Sequence, residues 1–244
     1  MAVWILKVSI MKKTYILILG MALAGVVTGY SFLKPEEGLM LQQAANDEIK
    51  LPEPEYDGET SVEKALQQRR SVREFKNEAL GISEVSQLLW AAQGITETRR
   101  GFRTAPSAGA LYPLEVYVAI GNVKDIPEGV YVYKPHQHAI SRIKNEDIRP
   151  ELSDAALGQK WVEEGAMVIV LSVVYERTTQ KYGDRGIRYV HMEEGHAAQN
   201  IYLQAVSLDL GTVCVGAFND KKVKKILGMQ DDAEPLCIMP VGKI

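Results

Sequence analysis

The chain is poor in the residues that build closed metal sites and covalent frameworks. Among 244 residues there are two cysteines, Cys214 and Cys237, and four histidines. No Cys-x-x-Cys occurs, and His136, His138, His191 and His196 fall at no spacing that closes a metal site, so no metal is expected. No Gly-x-Gly-x-x-Gly follows a strand, so a Rossmann site for bound NAD is not supported, and no Gly-x-Ser-x-Gly elbow appears. Basic excess is missing too: 28 Lys and Arg stand against 31 Asp and Glu, a formal charge of −3. With no basic stripe, nucleic acid is not expected as a partner. Both cysteines sit in apolar runs and read as core residues, able to pair outside the cytoplasm if their strands are neighbours.

Charge is also absent from one long stretch. Residues 14–33 carry none, a run of about 20 residues and long enough to cross a bilayer. Lys12 and Lys13 precede it, the order of a Sec-type signal or an uncleaved anchor, and there is no twin arginine. Lysines on that side place the rest of the chain outside the cytoplasm. Residues 1–35 are therefore expected to be a signal peptide or N-terminal membrane anchor, the protein's only contact with a membrane. Residues 36–57, polar and proline-containing, read as a linker. Setting aside Lys7, Lys12 and Lys13 leaves 25 basic residues against 31 acidic, near −6. Residues 58–244 are the size of one domain with an ample core.

What is present alternates between helix and strand patterns. A short helix is expected over 61–68 with Thr60 as its N-cap, and another begins at Ser83 and closes at Gly94. Residues 114–120 read as a strand, 129–133 and 139–143 as a hairpin, and 151–158 as a short helix. The unbroken apolar run 166–174 predicts a central strand. A long helix follows over 188–210, then strands over 212–217 and 236–241 on either side of a lysine-rich helix, 220–227. Strands mixed with helices and a hairpin indicate α+β, an antiparallel-rich sheet covered by helices.

Two stretches carry chemistry. Arg69, Arg70 and Arg73 crowd around Ser71, and their repulsion asks for an anion; guanidinium forks match phosphate oxygens two at a time. The plainer reading is a solvated basic turn at a helix C-terminus. Pro106-Ser107-Ala108-Gly109-Ala110-Leu111-Tyr112-Pro113 is a stiff loop of small residues that a flat ligand can approach closely.

Together, residues 69–75 (RRSVREF) and 106–113 (PSAGALYP) resemble the nitroreductase family of flavin mononucleotide (FMN) enzymes, and more narrowly its SagB/ThcOx-type dehydrogenase branch. Residues 181–185 (KYGDR), 194–200 (EGHAAQN), 211–218 (GTVCVGAF) and 239–243 (MPVGK) are similar to further blocks of that pattern, in the same order. The resemblance implies a nitroreductase-like α+β fold with a mixed, mostly antiparallel sheet, and an intertwined homodimer with FMN at the subunit interface. It assigns Arg69, Arg70 and Ser71 to the phosphate end, with Lys243 beside them, and Arg73 to the flavin N1/O2 edge. Pro106, Ser107, Ala108 and Gly109 would line the ring from the other subunit, and the backbone of Val215 and Gly216 would approach N5. Lys181 and Tyr182 match a pair proposed for proton transfer in azoline-oxidising members; otherwise they are a surface lysine and a packed tyrosine in a loop. His196, Gln199 and Asn200 share one helix, as flavin or substrate contacts or as a buried polar network. The implied activity is an FMN-dependent oxidoreductase moving two electrons between a donor such as NAD(P)H and a small organic substrate. The alternatives are an azoline dehydrogenase acting on ribosomal peptides and a flavin-binding module without catalysis.

Overall fold

The computed structural model describes residues 48–244. The expected leader lies outside the described residues. Among the described residues no helix is long and apolar enough to cross a membrane.

One seven-stranded sheet organises the domain. In chain order its strands are β1 (Glu48–Lys50), β4 (Leu114–Ile120), β5 (Gly129–Lys134), β6 (Ala139–Lys144), β7 (Met167–Val174), β8 (Leu210–Thr212) and β9 (Ala233–Lys243), with β2 (Ile95–Glu97) and β3 (Phe102–Arg103) forming a separate small hairpin. The spatial order is β1-β6-β5-β4-β7-β9-β8, and each of these pairings is antiparallel. β7 is central because it is apolar on both sides: all eight residues are buried between β4 and β9. Alternation along the strands feeds two cores. Val116, Val118, Met167, Ile169 and Leu171 face one, and Tyr117, Ala119, Val168 and Val170 face the other.

The helices are α1 (Val62–Gln68), α2 (Ile82–Gln93), α3 (Arg149–Ala155), α4 (Trp161–Glu164), α5 (Glu176–Tyr182), α6 (Arg185–Ser207) and α7 (Asp220–Leu227). Leu88 and Leu89 of α2 and Ala197, Ile201 and Ala205 of α6 fill the first core. Leu152 of α3 and Val223 and Leu227 of α7 fill the second.

Several boundaries differ from the sequence expectation, each for a local reason. The cap of α1 is Ser61, whose Oγ accepts from Lys64 N–H at 3.2 Å, rather than Thr60. The cap of α2 is Gly81 rather than Ser83, because the Glu84 carboxylate accepts the Gly81 N–H at 2.7 Å. The end of the expected linker belongs to the sheet: β1 pairs with β6, and Leu51 is buried with its N–H on the His138 carbonyl. His138 in turn bonds Tyr133 and Ser86, a buried network joining the hairpin to α2. The strand expected over 212–217 ends at Thr212 and rejoins the sheet only through the Val215–Ile238 bridge. Between them the Cys214 N–H is taken by the Tyr202 hydroxyl at 2.8 Å instead of a ladder partner.

Candidate functional site

Residues 69–76 lie along the β8–β9 edge. Val72 N–H donates to the Thr212 carbonyl and Lys76 N–H to that of Lys243, both at 2.9 Å. Such close approach needs glycines opposite. A Cβ on Gly211 would stand 2.6 Å from Val72 Cγ1, and one on Gly242 2.9 Å from Phe75. The basic motif is thereby fixed to the sheet, not left as a free turn.

Its side chains divide. Arg70 folds back onto the Gln67 and Arg69 carbonyls, the ordinary place of a cation at a helix C-terminus. Arg69 lies over the Tyr202 ring at 5.2 Å, and Ser71 Oγ is 3.1 Å from the Tyr202 hydroxyl. Arg73 lies 5.6 Å from the Trp161 ring centroid. Among the described residues none of the three guanidiniums has a carboxylate partner, so the positive charge is left for an external anion. Val215 uses both backbone groups in its bridge to Ile238, whereas Gly216 is exposed with open space beside its Cα. Lys243 is not free: its ammonium is bound by Glu84, the same carboxylate that opens α2.

The second cluster surrounds the small-residue loop. Gly109, Ala110 and Tyr112 all have positive φ, at 65°, 53° and 47°, a conformation that costs energy for the two non-glycines and persists because neighbours enforce it. Tyr112 N–H donates to Ser107 Oγ at 2.9 Å, and the Arg103 guanidinium stacks on the Tyr112 ring at 4.4 Å. Lys181 and Tyr182 occupy the end of α5, not a loop, and converge on Gly109. A Cβ there would stand 2.8 Å from Tyr182 Oη and 3.0 Å from Lys181 Nζ. The sequence motif of small residues and the lysine–tyrosine pair thus form one surface, with Pro106 and Gly109 exposed on it.

Two further residues were missed. Tyr202 ties Arg69, Ser71 and the Cys214 N–H together, and nothing local in the sequence marks it. Glu193 is 2 % exposed on the core stripe Val190–Glu193–Ala197–Ile201, where a carboxylate is out of place; that spacing was a readable signal. It hydrogen-bonds Ser107, yet burial holds its pKa up at about 7, and its Oε1 has no partner among the described residues. Arg103, beside it, donates to Gln93 Oε1 at 2.8 Å, and desolvation lowers its pKa. Of the residues on α6 named from sequence, Asn200 donates to the Ala91 carbonyl at 3.1 Å, which packs α6 on α2. His196 is exposed rather than part of a buried network.

The cysteines do pair, with Cα atoms 6.0 Å apart; Cys237 is core as expected, but Cys214 is exposed. Glu194 brings a carboxylate oxygen within 4.8 Å of both sulfurs. With both sulfurs bonded to each other, that trio offers one oxygen ligand.

The Nitroreductase family model matches residues 66–243. A protein of Methanocaldococcus jannaschii assigned to the nitroreductases is 50% identical over 196 residues, 80% of this chain and 96% of that protein. The Escherichia coli microcin B17-processing protein McbC is 26% identical over 171 residues, covering 68% of this chain and 63% of its own length. The crystal structure of a Ralstonia eutropha protein, likewise assigned to the nitroreductases, superposes with a TM-score of 0.71 at 29% identity, covering 81% and 89% of the two chains. On the span of the family match and the identity to the archaeal relative, the chain belongs to the nitroreductase family.

Proposed function

We propose that this nitroreductase-family oxidoreductase binds FMN and moves two electrons between a donor such as NAD(P)H and a small organic substrate. The observation that carries the reading is the division of the site within one chain. The Arg69–Ser71–Tyr202 cluster offers cations and donors for a phosphate but no face for a ring. The Ser107–Gly109 loop, under Lys181 and Tyr182, offers a face and proton carriers but no free cation cluster. Both rest on α6, around residues 202 and 193, about 13 Å apart along the axis. Two copies arranged so that one subunit's loop meets the other's cation cluster complete two sites. Val62 and Leu66 on α1 and Ile187 and Met192 on α6 are exposed apolar residues suited to that contact.

In this arrangement Arg69 and Ser71 would hold the phosphate, and Arg73 would offer a cation to the N1/O2 edge of the ring. The flavin itself, when bound, supplies the hydride chemistry. The chain's residues orient it, exclude water from one face through the small-residue loop, and carry protons at Lys181 Nζ and Tyr182 Oη. Size-exclusion chromatography with light scattering, read together with the visible absorbance of bound flavin, tests the reading. A flavin-loaded dimer is expected; a flavin-loaded monomer would refute the divided site.

A second reading has one specific support. Lys181 and Tyr182 converge on the loop, and the similar protein McbC is a microcin B17-processing protein, so azoline oxidation on a ribosomal peptide is the runner-up. An azoline peptide oxidised faster than any small substrate would favour it. A protein that binds flavin but is not reduced by any donor would instead be a flavin-binding module without catalysis.

A further inference from the structure

The cysteine pair occupies a position that a structural staple does not require. Cys237 is buried in β9 at 1 % exposure, while Cys214 lies at the surface between β8 and the Val215 bridge. The bond therefore has one sulfur that an external reagent can reach and one that it cannot. Glu194 places a carboxylate within 4.8 Å of both. The Cys214 N–H is fixed by the Tyr202 hydroxyl, and the Arg69 guanidinium lies over that ring, adding positive charge to the neighbourhood. Exposure, a nearby cation and a proton carrier are the surroundings that distinguish exchangeable sulfurs from inert ones.

We infer that Cys214, Cys237 and Glu194 form a second redox centre, which exchanges electrons with small thiols through Cys214. The exchange balances without any other reactant. A thiolate attacks Sγ of Cys214, the sulfur–sulfur bond breaks, and Cys237 leaves as a thiolate that takes a proton from the Glu194 carboxyl. A second thiol then attacks the external sulfur of the mixed disulfide, and Cys214 leaves as a thiolate that takes up the proton this thiol releases. The protein ends with two thiols, and the two external thiols end as their disulfide. Burial raises the Glu194 pKa from its ordinary value, which favours its carrying that proton. The centre is independent of the flavin reading. It adjoins that site through Tyr202, Arg69 and the neighbouring Val215 and Gly216, but its test needs no flavin.

The test uses the folded protein and dithiothreitol, with maleimide labelling read by mass spectrometry. One label per chain, at Cys214, should appear after reduction without denaturant, with circular dichroism unchanged. Cys237→Ser should form one mixed disulfide with oxidised glutathione at residue 214, and Cys214→Ser none. Glu194→Gln should slow reduction by roughly a hundredfold, the lower end for loss of a positioned proton donor. A disulfide that resists dithiothreitol until urea unfolds the protein would overturn the proposal, a result readable on the unmutated chain alone. Equal reactivity of the two serine variants would overturn the role of Cys214, and an unchanged rate in Glu194→Gln that of the carboxylate.

Discussion

Glu193 should make the protein less stable as pH rises from about 4.5 to about 7. Its carboxyl is buried on α6 with one oxygen unpartnered, so the folded state favours the neutral acid. The ordinary value of 4.5 is pushed up to about 7, chiefly by burial, against the opposing pull of Ser107 and Arg103. Between those values the folded state holds a proton that the unfolded state has released. Stability therefore falls as pH rises over that interval and levels off above about 7. At about 1.4 kcal/mol per pH unit the whole interval amounts to roughly 3 kcal/mol. Glu193→Gln keeps the shape and removes the titration. Urea unfolding of both proteins from pH 4.5 to pH 8 should show the original losing roughly 2–3 kcal/mol relative to the variant. His138, whose pKa desolvation lowers, contributes with the opposite sign in both proteins and cancels in the difference. Parallel curves across that range would show that Glu193 is ionised when folded, and the argument from its burial would fail.

Arg73→Ala should weaken FMN binding roughly ten- to hundredfold, the loss of one charge-assisted contact, as read by fluorescence titration; unchanged affinity would remove Arg73 from the site. Gly109→Ala meets both a positive φ and the tips of Tyr182 and Lys181, and should cost about 1–2 kcal/mol in urea denaturation. Tyr202→Phe loses the acceptor of the Cys214 N–H and the contact to Ser71; it should lower stability by about 1 kcal/mol and also weaken phosphate binding, which isothermal titration would separate from the Arg73 effect. Export is proposed from Lys12, Lys13 and the uncharged run, and an oxidised cysteine pair fits that compartment. Protease added to intact spheroplasts should digest the domain; survival until lysis would place it in the cytoplasm.

Most of the architecture was legible because burial leaves a period in the sequence. The apolar run of β7 announced a central strand, and α7 was bounded by its own cap and glycine. What escaped notice depends on contacts between distant residues. Nothing local in the sequence marks Glu84 as the partner of Lys243, 159 positions away, until the fold sets the two together. β1 has no periodicity over three residues and is a strand only because β6 offers it an edge. Tyr202 acquires its role from Ser71, 131 positions away. The motifs showed which residues gather; the tyrosine and carboxylate that hold them showed only in three dimensions.

The place of β9 has a consequence for how the protein is made. It is the last strand in the chain yet lies inside the sheet, between β7 and β8. Until residue 243 is available, β7 presents an unpaired apolar edge and the β8 segment has no ladder to join. A ribosome-bound chain thus has no closed sheet, and the native domain forms only once β9 is delivered. The incomplete chain is therefore dependent on whatever shields β7 before that moment.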